Sequence, residues 1–289
     1  MPPRKPSPVG AHVFTAGGLA TGGLAYARRI RAAVMQCFIS NPRGWAQSAG
    51  DPRQDERLRE GLAEDRMPLF LHAPYLVNLG SPAETTRVNS AAAIRHSLLR
   101  GQALGAAGIV IHAGSAVTEG RRAEAMSHSR ELLLPLLDEA AAMPGGPRIL
   151  VESTAGGGGA LAATVDGLTE YVAAHDEHPA LGVVLDTCHL FAAGHDLATP
   201  GGMRQMLTAV TKQLGRDRLG LVHANDSKDP IGSLRDRHQR IGKGLIGAEP
   251  FTELFRHPVT RGVPILIETP GSAEDHTEDL ELLRALRDR

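Results

Sequence analysis

Apolar and polar positions alternate along this chain on two length scales. Short apolar runs of strand-forming composition lie at 11–15, 34–40, 69–72, 109–112, 149–152, 183–186, 219–223 and 265–268. Longer segments with helical periodicity or helix-former composition separate most of them, most clearly at 55–64, 85–104, 118–142 and 274–286. Eight strand candidates, each followed by a helical segment, predict an α/β fold: a (β/α)8 TIM barrel in a single domain, with its site at the carboxyl ends of the strands. An open doubly wound sheet is the second possibility. Such sheets usually carry a glycine-rich phosphate turn after the first strand, and Gly17-Gly18 is not G-x-G-x-x-G. Four consecutive glycines at 156–159 directly follow a strand end, so they read as a sharply bent βα loop rather than a linker. The barrel is expected to span 10–289, preceded by a basic, proline-rich, flexible tail over 1–9.

Composition narrows the classes. A chain of 289 residues can bury a full core, and 42% hydrophobic with 22% charged residues is ordinary for a soluble globular protein. The net charge of −1 excludes a uniformly basic nucleic-acid coat, so any nucleic-acid binding must come from local clusters. Only 3% of residues are aromatic, which argues against single-strand binding by rows of stacking rings. The two cysteines, Cys37 and Cys188, exclude a disulfide framework and make a reducing cytoplasm the simplest compartment. No apolar signal core follows the amino terminus, and no apolar run approaches bilayer-spanning length, so no membrane partner is expected.

The strand candidates end repeatedly in the same chemistry. The third ends at His72, the fourth at His112, the fifth at Glu152, and the sixth at Asp186 with His189 three residues on. The seventh ends at His223, with Asp236 and His238 in its loop, and the eighth ends at Glu268. A lone His or Asp at a strand end is usually a cap or turn residue. Five histidines and four carboxylates converging from six strands on one rim point instead to metal. Imidazole and carboxylate suit zinc, manganese and iron(II), and nine groups accommodate three ions if one carboxylate bridges two of them. Asp236 and His238 are two apart and so point the same way in an extended segment. The stretch 221–244 also carries Lys228, Arg235, Arg237, Arg240 and Lys243, and cations beside metal ligands suit a phosphate ester. His12 either touches the site or supports a loop. Cys188 lies near enough in sequence to be a thiolate ligand, but packing is expected because the ligand set is already full, and Cys37 reads as core. The remaining histidines lie in helix or loop context and carry no assigned chemistry.

Together the segments HAPYLVNLGSP (72–82), VIHAGS (110–115), ESTAGGG (152–158), LDTCHLFAAGHDL (185–197), HANDSK (223–228), DRHQRIGKGLIG (236–247) and ILIET (265–269) resemble bacterial endonuclease IV. That family, also called deoxyribonuclease IV or AP endonuclease family 2, comprises zinc-dependent nucleases of base-excision repair. GAHVFTAGGLA (10–20) resembles the family's first strand and loop, and NPRGW (41–45) its DNA-probing loop in Asn41, Arg43 and Trp45. Departures fall at Ala73, Ala113, Ser153 and Gly44, none of which is a ligand position.

The resemblance implies a trinuclear zinc barrel. His72, His112 and Glu152 would hold the first zinc. Glu152, Asp186, His223 and Glu268 would hold the second, and His189, Asp236 and His238 the third. Glu152 and Glu268 would act in catalysis, as ligands first and as general bases second. The implied reaction is hydrolysis of the phosphodiester 5′ to an abasic deoxyribose, leaving a 3′-hydroxyl and a 5′-deoxyribose phosphate, with 3′-repair phosphodiesterase and phosphatase activity beside it. Double-stranded DNA with abasic sites or 3′-blocked ends would lie across the rim of a monomer, contacted by Arg43, Trp45, Tyr75, Lys228, Arg237, Arg240 and Lys243. Two other readings remain open. A metal-dependent sugar isomerase or epimerase of the xylose isomerase-like class would use one or two metals and leave the third ligand set without a purpose. A damage binder without catalysis would show a broken ligand set.

Overall fold

The computed structural model describes residues 6–289, in which eight parallel strands close into the expected barrel. In chain order the strands and helices are β1 (Val9–His12), α1 (Ala25–Arg29), β2 (Met35–Cys37), α2 (Pro52–Asp65), β3 (Leu69–His72), α3 (Glu84–Leu104), β4 (Gly108–His112) and α4 (Arg122–Ala142). Then follow β5 (Arg148–Glu152), α5 (Val165–Ala174), β6 (Leu181–Asp186), α6 (Thr187–Ala192), α7 (Gly202–Gln213) and β7 (Leu219–His223). A two-stranded ribbon, β8 (Asp226–Ser227) with β9 (His238–Gln239), precedes α8 (Pro250–Arg256), β10 (Ile265–Ile267) and α9 (Ala273–Arg287). The barrel order is β1-β10-β7-β6-β5-β4-β3-β2, so β10 is its eighth strand. No helix among the described residues is long and apolar enough to cross a membrane.

Three expected boundaries move. The first strand begins at Val9, which pairs with Ile265 and is fully buried. Ser7 is also buried, its hydroxyl donating to the Thr260 carbonyl at 2.7 Å. The barrel therefore reaches back into the expected tail, and of the rest of that tail residues 1–5 lie outside the described residues. The second strand stops at Cys37, because its partners end there: Gln36 pairs with His12 and Cys37 with Leu71. The helix expected from 118 starts at Arg122, since Val117 and Gly120 take positive φ values of 64° and 81° that end any helical run. The four glycines at 156–159 all have positive φ, as a sharply bent βα loop requires.

Strand alternation and register decide what faces the barrel axis. Val34, Phe70, Val110, Leu150, Val184, Leu221 and Leu266 share one pleat face across the sheet and form a separate buried cluster, which is the plug of the barrel. Each fully buried aliphatic side chain of this kind is worth about 1.5–3 kcal/mol. The larger apolar cluster lies between the barrel and its helices. The register shifts once, where Val183 pairs with Leu219 but Val184 with Leu221, so Gly220 is an extra residue that restores the facing of β7. Without Gly220, His223 would point away from the axis.

Gly10 marks the tightest approach in the closure. A Cβ built there would lie 1.8 Å from the Val34 carbonyl oxygen, a backbone atom that cannot swing aside. Gly10→Ala is therefore expected to cost about 3 kcal/mol by overpacking. Thermal melting should show a midpoint several degrees lower; a melt superimposable on wild type would contradict this account of the β1–β2 contact.

Candidate metal centre

Two residues beyond the plug, the same inward face ends in polar chemistry. Its final positions are His12, Gln36, His72, His112, Glu152, Asp186, His223 and Glu268, one from each strand or from the residue just after it. His112 is in register with Glu152 and Asp186 with His223, so ligands on adjacent strands stand side by side. His189 enters from α6. Asp186 caps that helix, accepting the His189 backbone N–H at 2.8 Å, and this fixes the imidazole one turn along on the same side. Asp236 and His238 come from the long loop after β7, with Asp236 Oδ1 and His238 Nε2 3.1 Å apart.

The sequence expected nine groups and the structure brings all nine together. Ligand atoms within 4.8 Å of one another form the sets His72–His112–Glu152, Glu152–Asp186–His223–Glu268 and His189–Asp236–His238. Glu152 belongs to two of them. Cys188 also lies within that range of Asp186 and His238; its thiol is buried, and burial pushes its pKa up. Cys37 is core, its pKa pushed up to about 12 by burial.

The histidine tautomers are set from outside the cluster. Nδ1 of His72 donates to the Ala73 carbonyl at 2.7 Å, Nδ1 of His189 to the Ser153 carbonyl at 2.8 Å, and Nδ1 of His238 to the Glu268 carbonyl at 3.2 Å. His223 is turned the other way, its Nε2 donating to Gln36 Oε1 at 3.0 Å. In a neutral ring the inner nitrogen is then a bare lone pair. These lone pairs face carboxylates: His223 Nδ1 is 2.9 Å from Glu152 Oε1, His72 Nε2 is 3.2 Å from Glu152 Oε2, and His189 Nε2 is 3.0 Å from Asp236 Oδ1. Lone pair against carboxylate is repulsive, so each contact requires a proton or a cation between the partners. Outer N–H to a carbonyl with inner nitrogen to a cation is how metal-binding histidines are held. The residues fit a cluster of borderline-to-hard cations.

Electrostatics agree. Burial opposes charge on His223, but Glu268 and Glu152 outweigh it and push its pKa up to about 9. Burial likewise opposes charge on His238, and Asp186 with Asp236 raise it to about 9. Glu152 is fully buried, yet His223 and His72 hold its carboxyl well below the usual range despite the desolvation cost. His112 is pushed down to about 4 by burial, and Asp186 is pushed up by burial. The centre thus concentrates carboxylate charge that protons or metal ions must balance.

Two functional residues escaped the sequence reading. Gln36 is fully buried, donates to Glu268 Oε1 at 2.6 Å, and receives the His223 ring N–H. Its signal was its place two residues beyond Val34 on the inward face of β2. Asp226 is fully buried, and its carboxylate accepts backbone N–H bonds from Ser227, Gly242, Gly244, Ile246 and Gly247. The backbone of the 226–247 loop thus converges on one side chain. His12 touches the centre, its Nδ1 lying 3.1 Å from Glu268 Oε1.

The expected DNA contacts divide. Arg43 and Tyr75 line a cavity of about 670 Å³ that opens beside His12 and Glu268. Tyr75 is 52% exposed and its ring stacks on His112 at 5.9 Å between centroids. Desolvation on the side of the ring that faces the protein, with the carboxylates of Glu268, Asp236 and Glu152, pushes the pKa of its hydroxyl up to about 12. Lys228 and Lys243 are exposed. The other three have partners within the chain. Arg240 is spoken for by Asp275, Glu278 and Asp279 of α9. Arg237 pairs through the Nε–Nη2 edge of its guanidinium with both carboxylate oxygens of Asp229. Trp45 is half-buried and packs against the apolar core.

Comparison with known proteins places these features. Residues 24–286 match the family described as xylose isomerase-like TIM barrel. The chain is 52% identical over 282 residues to the "Probable endonuclease 4" of Streptomyces avermitilis, spanning 98% of this chain and 91% of that protein. The crystal structure of endonuclease IV from Thermus thermophilus superposes with a TM-score of 0.83 at 31% identity, covering 97% of this chain and 99% of that one. A D-tagatose 3-epimerase-like protein superposes with a TM-score of 0.75 at 19% identity, covering 97% of each chain, a likeness of fold alone.

Proposed function

The chain belongs to the endonuclease IV family of xylose isomerase-like TIM barrels, and from this premise we propose that it is a zinc-dependent apurinic/apyrimidinic endonuclease of base-excision repair. It hydrolyses the phosphodiester 5′ to an abasic deoxyribose, leaving a 3′-hydroxyl and a 5′-deoxyribose phosphate. Trimming of 3′-blocked ends is the second activity assigned to the same centre, and the working unit is a monomer. The observation that carries the reading is the third ligand set, His189–Asp236–His238, two of whose members come from a loop that also exposes Lys228 and Lys243. A sugar isomerase has no use for a third ion set in a basic loop.

His72, His112 and Glu152 would hold one zinc, Glu152, Asp186, His223 and Glu268 a second, and His189, Asp236 and His238 a third, with Glu152 common to the first two sets. Zinc there supplies charge neutralisation for the phosphate and a nucleophile drawn from water at neutral pH. The chain's own groups do the rest. Glu152 stays ionised and fixed between His72 and His223. Glu268, held by His12 and Gln36 at the edge of the cavity, is placed to accept a proton. Tyr75 and Arg43 face the cavity and would steady a nucleotide displaced from the duplex. Lys228 and Lys243 would hold the backbone over the third set. Selection of the lesion follows from deformability, since a nucleotide without a base costs less to unstack and displace.

The test is a duplex with one abasic analogue, incubated with the zinc-replete protein with and without a strong chelator. Cleavage 5′ to the lesion that chelation abolishes is expected, together with about three zinc ions per chain by elemental analysis. An uncut abasic duplex would sink the nuclease, and about one ion per chain would sink the trinuclear centre.

A further inference from the structure

We propose that Arg240, Asp279 and His276 form a latch between α9 and the rim, which holds the third ligand set in register with Glu268. Arg240 is then a positioning residue of the metal centre and not a DNA contact. The latch rests on the trinuclear reading above.

Arg240 stands two residues after His238, at the exit of β9. Only 19% of its side chain is exposed, and its guanidinium is turned wholly onto the first turns of α9. Nε donates to Asp279 Oδ1 at 3.2 Å, and Nη2 donates to Glu278 Oε2 at 2.7 Å and to the Asp275 carbonyl at 3.2 Å. Nη1 takes the Asp275 carboxylate. Asp275 is itself fixed as the N3 residue of a capping box with Ser272.

The far side of the latch grips the other ligand strand. Asp279 is 2% exposed, and its second oxygen accepts the Thr269 hydroxyl at 2.8 Å. The Tyr26 hydroxyl lies 2.8 Å from His276 Nδ1, and His276 Nε2 donates to the Thr269 carbonyl at 2.8 Å. Thr269 directly follows Glu268, whose own carbonyl receives His238 Nδ1 at 3.2 Å. Glu268 of the second set and His238 of the third are therefore joined twice: directly, and through Arg240–Asp279–Thr269. An exposed ion pair such as that to Glu278 adds little. Asp279 differs because it is buried, and losing Arg240 would leave a buried carboxylate without its cation. The relief of that strain would be movement of β9, which carries His238.

Outer partners of metal ligands typically govern affinity by about 10–100-fold. Zinc binding is therefore to be measured by equilibrium dialysis against buffered free zinc, with cobalt(II) spectra as a second readout. Wild type, Arg240→Ala, Arg240→Lys and the distant Arg28→Ala would be compared. Arg28 also binds two carboxylates, Glu64 and Asp65, none of the three being in a ligand set, and so controls for loss of an arginine. We expect Arg240→Ala to hold one ion about 10–100-fold more weakly with the other ions unchanged. Arg240→Lys should recover part of that loss, and Arg28→Ala should change nothing. The salt dependence of DNA binding should be unaltered in Arg240→Ala, whereas Lys243→Ala should lower its slope by about 1. Unchanged zinc affinity in both Arg240 variants would overturn the latch, whatever the melting temperature does. A salt slope lowered by Arg240→Ala would return Arg240 to the DNA interface. Absence of a third ion in wild type would instead sink the trinuclear reading. If Arg240→Ala fails to fold, Arg240→Lys decides the matter.

Discussion

Glu152→Gln is expected to leave a folded protein that still binds an abasic duplex but cleaves it on the order of 10³-fold more slowly, a loss of about 4 kcal/mol of transition-state stabilisation. The reason lies first in its position. Glu152 is the last residue of β5, fully buried, with Oε2 facing His72 at 3.2 Å and Oε1 facing His223 at 2.9 Å. It is the residue shared by two of the three ligand sets. Glutamine has the same shape, so the β4–β5 and β5–β6 ladders and the Leu150 plug below it are undisturbed. It lacks the charge, however, and one of its two oxygens becomes an NH2 that cannot accept. One set loses its only carboxylate, because His72 and His112 bring none. Duplex binding survives, since Lys228, Lys243, Arg43 and Tyr75 belong to other elements. Single-turnover cleavage, gel-shift binding and elemental analysis on the same preparation make the check. Near wild-type turnover would show that Glu152 does not bridge.

Much of this centre was legible because it obeys the simplest periodicity in the chain. A residue two beyond a plug residue faces the same way, so Phe70 predicts His72, Val110 predicts His112, Leu150 predicts Glu152 and Val184 predicts Asp186. The same rule leads from Val34 to Gln36, whose amide is not a usual metal ligand. On β7 the rule survives only through the extra residue Gly220, which sequence spacing alone does not reveal.

Charges in loops were less legible, for a physical reason. Arg240 looked like a phosphate contact because its neighbours in sequence are cations, while its carboxylate partners lie 35 to 39 residues further along, on a helix that folds back under the rim. The partner of Arg237 was hidden for a related reason. Its partner Asp229 is only eight residues away, but it comes beside Arg237 through the ribbon of β8 and β9, in which Ser227 pairs with His238. Trp45 packs half-buried against the apolar core, a contact its position in the loop sequence does not reveal. Pairing of this kind is a property of the folded loop and leaves no periodic trace.

That loop sets the second large expectation. Asp226→Ala should unfasten 226–247 and remove the third ligand set while leaving the barrel folded. Asp226 sits just past β7 with both oxygens buried, and the chain returns to it from residue 242 to residue 247. Gly242 and Gly244 donate to Oδ2 at 3.0 Å each, and Ile246 donates to Oδ1 at 2.8 Å. Gly244 has to be glycine for this approach, because a Cβ there would fall 2.4 Å from the Ser227 carbonyl oxygen. Without the carboxylate, several converging N–H groups lose their acceptor at about 1–3 kcal/mol each if they stay buried. The loop can escape that cost by opening to water, and Asp236 and His238 leave with it. The barrel has no such exit and no such need, since its plug and ladders do not touch Asp226. Hydrogen exchange should therefore speed up at the amides of residues 242, 244, 246 and 247 but not in β4–β6. Zinc content should fall by about one ion per chain and cleavage by about 10²-fold or more, a loss of about 2.7 kcal/mol. Asp226→Asn should fall between, since one oxygen remains to accept. Protected loop amides and a full zinc complement in Asp226→Ala would mean that the ribbon and the Arg240 contacts hold the loop unaided, and that this carboxylate is not its anchor.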